Sequence, residues 1–328
     1  MKTSNIRGSH ILITGGAGFI GSTLAEALVE KGAKVTIVDA MISPYGGNLY
    51  NIKPFKKKIT FVQGDVRSKR LMRTLVDGKD YVFHLAGQTG RVISMENPWF
   101  DTDININGTL TVLDAMKKAK NKGKIIFASS RGVIGEPLHL PVDESHPLHP
   151  KDVYGANKLV AEQYCMLYAK EYGLGATVLR FNNIYGPKCQ IRSNHYGTIN
   201  LFIAYALQGK PMTVYGSGAQ TRDYVYVTDV ASALIAAMDK KADLGTFFVA
   251  SNTEVSLLEI VNSIKKNIKK AEHVMLPYPG YFGKLDFDRF LCSYDKINKT
   301  LGWKPKVSIE EGIKKTVAYY KKNLKYYL

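Results

Sequence analysis

The stretch from residue 10 to residue 32, HILITGGAGFIGSTLAEALVEKG, carries three structural signals in succession. HILITG (10–15) is a short apolar run of strand type, TGGAGFIGS (14–22) packs four glycines into nine residues, and IGSTLAEALVEKG (20–32) repeats apolar residues at helical spacing through Leu24, Ala27 and Leu28. Strand, glycine turn and helix in that order let a backbone bring a pyrophosphate against a helix N-terminus, because glycine permits both the tight turn and the close approach. Read from Gly16 the turn matches GxGxxG; read from Gly15 it matches GxxGxxG. The next strand, KVTIVD (34–39), ends on Asp39. A carboxylate there accepts from a ribose 2′-hydroxyl and repels a 2′-phosphate, so NAD is favoured over NADP.

The alternation continues through strand candidates ITFVQ (59–63), YVFHLA (81–86), KIIFASS (124–130) and TVLRFNN (177–183), with helical patterns between them. This is the signature of an α/β protein with a Rossmann-type, doubly wound parallel sheet covered on both faces. GDV closes the third strand, placing Asp65 near an adenine amino group beside Val66. Leu85, Ala86, Gly87 and Gln88 close the fourth, where small residues let a cofactor lie across the strand ends. After about residue 185 the rhythm changes. GPKCQIRSNHYG reads as a polar loop, GTINLFIAYALQG as a helix, PMTVYGSGAQTRDYVYV as strand, turn and strand, and Met275 to Ser293 as a substrate-covering loop. The pattern predicts a smaller C-terminal α/β substrate lobe built from non-contiguous segments, with one helix (228–240) and one strand (FFVAS) returning to the main sheet. The expected division is 1–180 with about 225–250 for the dinucleotide domain, and 181–224 with 251–328 for the substrate lobe.

The 328 residues are 45% hydrophobic and 22% charged, the balance of a globular chain. No apolar run approaches the ~20 residues needed to cross a bilayer. MKTSNIRGSH leads into the first strand without a signal-peptide core, and three scattered cysteines suggest a reducing compartment with no disulfide framework and no metal site. A cytoplasmic protein is expected. The net charge of +17 is distributed over separate lysine groups at the polar faces or ends of helices, without aromatic interleaving. It reads as solvated surface with a bias toward anionic substrates, and no nucleic-acid or membrane partner is expected.

YGANKLVAEQY places Tyr154 and Lys158 at i and i+4 on one helical face. A phenol titrating near ~10 becomes a usable base only if neighbouring positive charge favours its anion. An ammonium and a cationic nicotinamide would both do so; a shift of about 3 units takes about 4 kcal/mol. In an isolated YxxxK, packing of the tyrosine and solvation of the lysine would be the better reading.

The motif is not isolated. TGGAGFIGS, Asp39, GDV, HLAGQ, NINGT, SS before VIG, YGANK, LRFNNIYGP, QTRDYVYVTDV and LGWKPKVSIEEGI occur in that order, from about Ile11 to Tyr319. Together they resemble the extended short-chain dehydrogenase/reductase family in its nucleotide-sugar epimerase/dehydratase branch, nearest in pattern to UDP-sugar 4-epimerases. The resemblance implies NAD as cofactor, held by Gly15, Gly18, Phe19, Ile20, Gly21, Asp39, Asp65, Val66, Leu85, Ala86, Gly87, Tyr154 and Lys158. It implies Ser130, Tyr154 and Lys158 as the catalytic group. On the substrate side it implies Ser130, with Asn183 and Arg222 at the diphosphate, and Thr198 and Tyr215 near the nucleotide; Gln88, Arg131 and Arg289 are further substrate-side candidates. Ser130 would hydrogen-bond the sugar 4-hydroxyl, Tyr154 remove its proton, and the C4 hydride pass to NAD, leaving a 4-keto sugar. The implied partner is a nucleotide-diphosphate sugar, UDP first. In relatives, helices equivalent to those near 100–119 and 154–171 pair into a four-helix interface, so a homodimer is expected.

FASSRGVIG then narrows the second half-reaction. Relatives that eliminate water carry Asp-Glu directly after the catalytic Thr, and those that decarboxylate a uronate keep a Glu at the second of those positions. Here they are Arg131 and Gly132. Arginine cannot exchange a proton at neutral pH and glycine has no side chain, which favours 4-epimerisation over 4,6-dehydration or UDP-glucuronate decarboxylation. Arg131 itself reads as a solvated loop charge, a partner for the pyrophosphate or its loop, or a direct contact to a substrate carboxylate, for which Lys188 and Arg192 also qualify. The chain departs from relatives at YFGK (281–284), where an RPGD-like arginine is usual; either Arg289 or Lys284 substitutes, or the nucleotide lies differently. Ile134 also stands where a tyrosine is frequent. A non-catalytic NAD-binding scaffold on the same fold is disfavoured by the intact Ser130, Tyr154 and Lys158.

Overall fold

Runs of Ile, Val and Leu with no polar face can be shielded only by helices on both sides of a sheet. In the computed structural model, which describes residues 6–43, 46–119, 123–192, 197–278 and 289–328, six such runs become β1 (His10–Thr14), β2 (Lys34–Asp39), β3 (Ile59–Gln63), β4 (Tyr81–His84), β5 (Lys124–Ser130) and β6 (Gly175–Phe181). The C-terminal half adds β7 (Asn183–Tyr185), β8 (Met212–Tyr215), β9 (Thr221–Tyr226), β10 (Gly245–Val249), β11 (Glu254–Ser256), β12 (His273–Leu276) and β13 (Arg289–Phe290). The main sheet is parallel with order β10-β6-β5-β4-β1-β2-β3. Its order reverses between β1 and β4, where an open α/β sheet forms its ligand crevice at the carboxyl ends of the strands.

Helices cover both faces. Leu24 and Leu28 of helix Phe19–Glu30 pack with Val230, Ala233 and Leu234 of helix Val227–Ala236 on one side. Val112, Leu113 and Met116 meet Ala161 and Cys165 of helix Val153–Tyr172 on the other. That last helix starts where the Asp152 carboxylate accepts from Gly155 N–H (2.7 Å) and stops at Gly173, whose φ of 68° ends it in the left-handed region. The span near 100–119 is not one regular helix: Pro98–Thr102 and Gly108–Lys118 are joined by a π turn, Asp103–Asn107.

The C-terminal elements form the expected additional α/β layer, with two departures from the sequence reading. PMTVYGSGAQTRDYVYV folds as the expected strand, turn and strand, and its two strands lie in different sheets. β8 lies parallel to β12, and β9 is flanked instead by β7, β11 and β13, because Gly216 and Gly218 at positive φ turn the chain away between them. The segment Met275 to Ser293 is strand at both described ends, in β12 and β13, and residues 279–288 lie outside the described residues. The returning helix ends at Ala236 rather than 240, while FFVAS enters the main sheet as β10 beside β6.

Candidate active site

A cavity of about 450 Å³ opens at the carboxyl ends of β1, β2, β4, β5 and β6. Gly15, Gly18 and Gly21 line it, and Gly16 does not. A Cβ on Gly16 would meet Ile37 Cγ2 at 2.4 Å, so that glycine serves strand packing, and the GxxGxxG register faces the ligand space. Gly15, at φ +67°, leaves no room for a methyl against the Ala86 backbone at 2.9 Å, and a Cβ on Gly21 would strike the Gly15 carbonyl at 2.4 Å. Gly18 caps the helix Phe19–Glu30 without a side chain and no acidic residue occupies its first turn, so the N–H groups at Phe19 and Ile20 stay open to an anion.

Asp39 ends β2 on the same wall. Its Oδ2 accepts from Ala17 N–H (3.1 Å) and its Oδ1 from Met41 N–H (3.0 Å) and Gly47 N–H (3.4 Å). Burial pushes this carboxyl up, and the backbone donors oppose the rise. Asp65 is held the other way: the Arg67 guanidinium donates to both its oxygens, at 3.0 and 2.6 Å, and keeps it below the usual carboxylate range. Arg67, which also pairs with Asp103, received no role from the sequence. Val66, Leu85, Ala86 and Gly87 complete this wall.

Ser130, Tyr154 and Lys158 converge on the cavity from β5 and the helix beside it. Ser130 Oγ accepts from Gly132 N–H (3.1 Å) and is hydrogen-bonded to the Tyr154 side chain. Lys158 Nζ donates to Ala128 O (3.1 Å) and sits 6.0 Å from the Tyr154 ring centroid. Burial lowers Lys158 to about 8 and raises Tyr154 to about 12, the Ser130 hydrogen bond only partly offsetting the rise. In the protein without cofactor, desolvation of the anion and the charges of Asp101 and Asp152 outweigh the Ser130 hydrogen bond and the Arg91 guanidinium; the expected depression of the phenol depends also on a bound cationic nicotinamide.

Behind Lys158 lies a carboxylate-amide network absent from the sequence reading. Asp101 accepts from Asn105 (3.0 Å), Asn157 (2.7 Å) and Gln88 (3.0 Å), and its charge favours the Lys158 ammonium. Asn105 stands in the π turn with its Oδ1 unpartnered, 2.7 Å from where a Gly87 Cβ would lie. Gln88 lines the cavity with its amide committed to Gly90 and Asp101.

Of the other substrate-side candidates, Asn183 and Thr198 line the cavity; Arg131, Tyr215, Arg222 and Arg289 do not. Arg131 stacks its guanidinium 4.5 Å over the Phe290 ring of β13. Arg222 is buried in β9 with Nη1 donating to Thr221 O (2.7 Å). Arg289 pairs with Glu254 at 2.6 and 3.0 Å, and Tyr215 is exposed beside Tyr278. Lys284 lies outside the described residues.

The doubly wound sheet, the glycine cradle at its switch point, and a serine, tyrosine and lysine at the ends of β5 and its helix define a dinucleotide-dependent dehydrogenase/reductase of the extended short-chain type. The family model described as GDP-mannose 4,6 dehydratase matches residues 12–316. A Methanocaldococcus jannaschii protein provisionally named UDP-glucose 4-epimerase is 39% identical over 323 residues, covering 95% of this chain and 99% of the relative. A Bacillus cytotoxicus UDP-N-acetyl-alpha-D-glucosaminuronate decarboxylase is 36% identical over 320 residues, covering 94% and 97%. The Thermotoga maritima UDP-glucose 4-epimerase, solved with UDP-glucose, superposes with a TM-score of 0.88 at 35% identity over 96% of this chain and 99% of that one. The Thermus thermophilus UDP-glucose 4-epimerase, solved with NAD, superposes with a TM-score of 0.84 at 31% identity over 95% and 99%. The chain belongs to the NAD-dependent nucleotide-sugar epimerase/dehydratase family. Among the described residues, no helix is long and apolar enough to cross a membrane.

Proposed function

We propose that the chain is an NAD-dependent nucleotide-sugar 4-epimerase acting on a UDP-sugar through a transient 4-keto intermediate. The observation that carries this reading is a distribution of charge. Among the described residues lining the cavity, the carboxylates are Asp39 and Asp65, both on the glycine-turn side, and none stands beside Ser130 and Tyr154. Positions 131 and 132 sit where an elimination would need its acid and base. Arg131 turns away onto Phe290, and Gly132 presents bare backbone 3.7 Å (from its absent Cβ) to the Tyr154 ring. Cys189, also on the wall, has its thiol pushed up to about 12 by burial. An epimerase needs no further acid or base once the 4-keto sugar has turned its other face.

NAD fits the residues present: the Gly15 cradle that a Cβ would fill, the uncapped helix end, the Asp39 carboxylate and the buried Lys158 ammonium. When bound, it supplies a cationic hydride acceptor that later returns the hydride. The chain's own contribution is proton handling and position. Ser130 Oγ, already accepting from Gly132 N–H, keeps its proton to orient the Tyr154 phenol or the sugar hydroxyl. Tyr154 takes the 4-hydroxyl proton, and Lys158 holds a positive charge in a site from which water is excluded.

Incubation with UDP-, dTDP-, CDP- and GDP-sugars, followed by NMR, tests the reading. Interconversion of C4 epimers from a UDP-sugar is expected; a 4-keto-6-deoxy product or released CO2 overturns it. Trp99, 83% exposed, and Leu167, 53% exposed, lie on the helices expected to pair in a homodimer. Sedimentation at twice the chain mass is the expected result, and a monomer at micromolar concentration refutes the pairing. Three buried free cysteines support a cytoplasmic setting.

A further inference from the structure

The chain spends an unusual number of aromatic hydroxyls at one place away from the catalytic group. The short helix Leu49–Ile52 follows the segment that donates to Asp39, and it is fastened on two sides. Toward the glycine turn, Asn48 N–H and Asn51 Nδ2 both donate to Ala17 O, at 3.0 and 3.1 Å. Toward the last helix, Ile309–Asn323, and the turn that follows it, Tyr50 Oη donates to Asn323 Oδ1 (2.7 Å) and Asn48 Nδ2 donates to Tyr326 O (2.7 Å). Tyr50 and Tyr326 stack with centroids 3.8 Å apart.

Asn51 is the junction. It is 2% exposed, and every polar atom of its amide is used by a different part of the chain. Nδ2 donates to Ala17 O in the glycine turn and to Lys188 O (3.2 Å) in the loop after β7. Oδ1 accepts from Tyr327 Oη (2.6 Å), which is itself hydrogen-bonded to Tyr319 Oη. The neighbouring Tyr320 Oη donates to Cys189 O (2.5 Å), so the same helix also grips the 188–190 loop. Gly47, Asn48, Asn51, Lys188 and Cys189 all line the active-site cavity. A side chain with three committed partners from three segments fixes their separation, because moving any one segment leaves a buried polar group unpaired.

We propose that Asn51, with Tyr327 and Tyr50 behind it, is a positioning latch through which the C-terminal helix holds the 46–52 segment against Asp39 and the glycine turn and thereby sets how tightly the dinucleotide is retained. The proposal rests on the NAD reading above for its ligand. Its structural half, the fastening of 46–52, stands independently. The latch touches neither the reacting sugar nor Tyr154, so it acts on cofactor affinity and not on the chemical step.

Tyr327→Phe keeps the ring and removes the hydroxyl; Tyr50→Phe does the same at a less buried bond. On protein stripped of nucleotide, calorimetric titration with NAD is expected to give an affinity weakened about five- to tenfold for Tyr327→Phe and about two- to fivefold for Tyr50→Phe. kcat at saturating NAD should be unchanged. Hydrogen exchange of the 46–52 amides, read without cofactor, should accelerate in both variants. Asn51→Ala combined with Tyr327→Phe should bind NAD no worse than Asn51→Ala alone, since the hydroxyl acts through that amide. Additive losses in the double variant, or unchanged exchange at 46–52 in both single variants, overturn the latch. So does NAD affinity within twofold of wild type in both. A wild-type protein that takes up no NAD removes the cofactor reading, and the exchange comparison still decides the latch.

Discussion

Tyr154→Phe is expected to lower kcat and kcat/KM together by about 10²- to 10⁴-fold while leaving folding intact. The size follows from what the hydroxyl does. In the proposed reaction it is the group that accepts the 4-hydroxyl proton, a part that Ser130 and Lys158 cannot take. Ser130 is an ordinary hydroxyl, and Lys158, lowered to about 8, remains mostly protonated at neutral pH. The equal fall in both constants follows because the phenolate–proton interaction exists in the transition state and not in the bound substrate. Folding should be spared because the ring keeps its packing and the substitution removes one hydroxyl without opening a cavity. Burial keeps the phenol protonated across the neutral range in the protein without cofactor. Turnover of Tyr154→Phe within tenfold of wild type, in the same product assay, would remove Tyr154 from the reaction.

How much of this was legible in the chain depends on sequence distance. The strand, glycine turn and helix are contiguous, so TGGAGFIGS and Asp39 at the next strand end could be read directly, and only the choice between two glycine registers needed the Ile37 contact. Tyr154 and Lys158 were legible because a helix brings i and i+4 together wherever it lies. Groups that depend on tertiary contact were not. Arg131 left three readings open, and its stacking on Phe290 joins a turn after β5 to a strand near the far end of the chain. Arg289, offered for a diphosphate, has its charge committed to Glu254 of β11, on the far side of β9. Asn51 and Tyr327 are 276 positions apart, and neither belongs to any motif. The π turn at Asp103–Asn107 was hidden for a different reason. DININ is compatible with ordinary helix, so its residue types do not separate a π turn from α-helix.

Arg180→Met is expected to cost about 3–5 kcal/mol of folding stability, the largest loss from any single polar side chain near the site. Arg180 lies on β6, and its guanidinium grips Glu162 through Nη2 at 2.8 Å and Nε at 3.0 Å, with both side chains 6% exposed. Ser129, directly opposite Arg180 in the β5–β6 register, donates to the same carboxylate at 2.5 Å. Removing the arginine leaves the buried Glu162 carboxyl without its counter-charge, with Ser129 as its remaining donor. The partner change decides the interpretation. Arg180 Nη1 has no hydrogen-bond partner, so the intact pair is itself incompletely satisfied. Replacing both residues, as Arg180→Met with Glu162→Met, should therefore recover most of the loss, to within about 1.5 kcal/mol of wild type. Denaturant unfolding of the two variants checks this, and a single variant as stable as wild type refutes it. The pair also bears on catalysis through geometry. Tyr154, Lys158 and Glu162 fall four residues apart on one face of helix Val153–Tyr172, so the Glu162 anchor to β5 and β6 fixes the rotation at which Tyr154 meets Ser130. The double variant, refolded but without that anchor, should then be stable yet slower than wild type, with kcat falling more than KM changes, because near-attack geometry is what the ion pair holds.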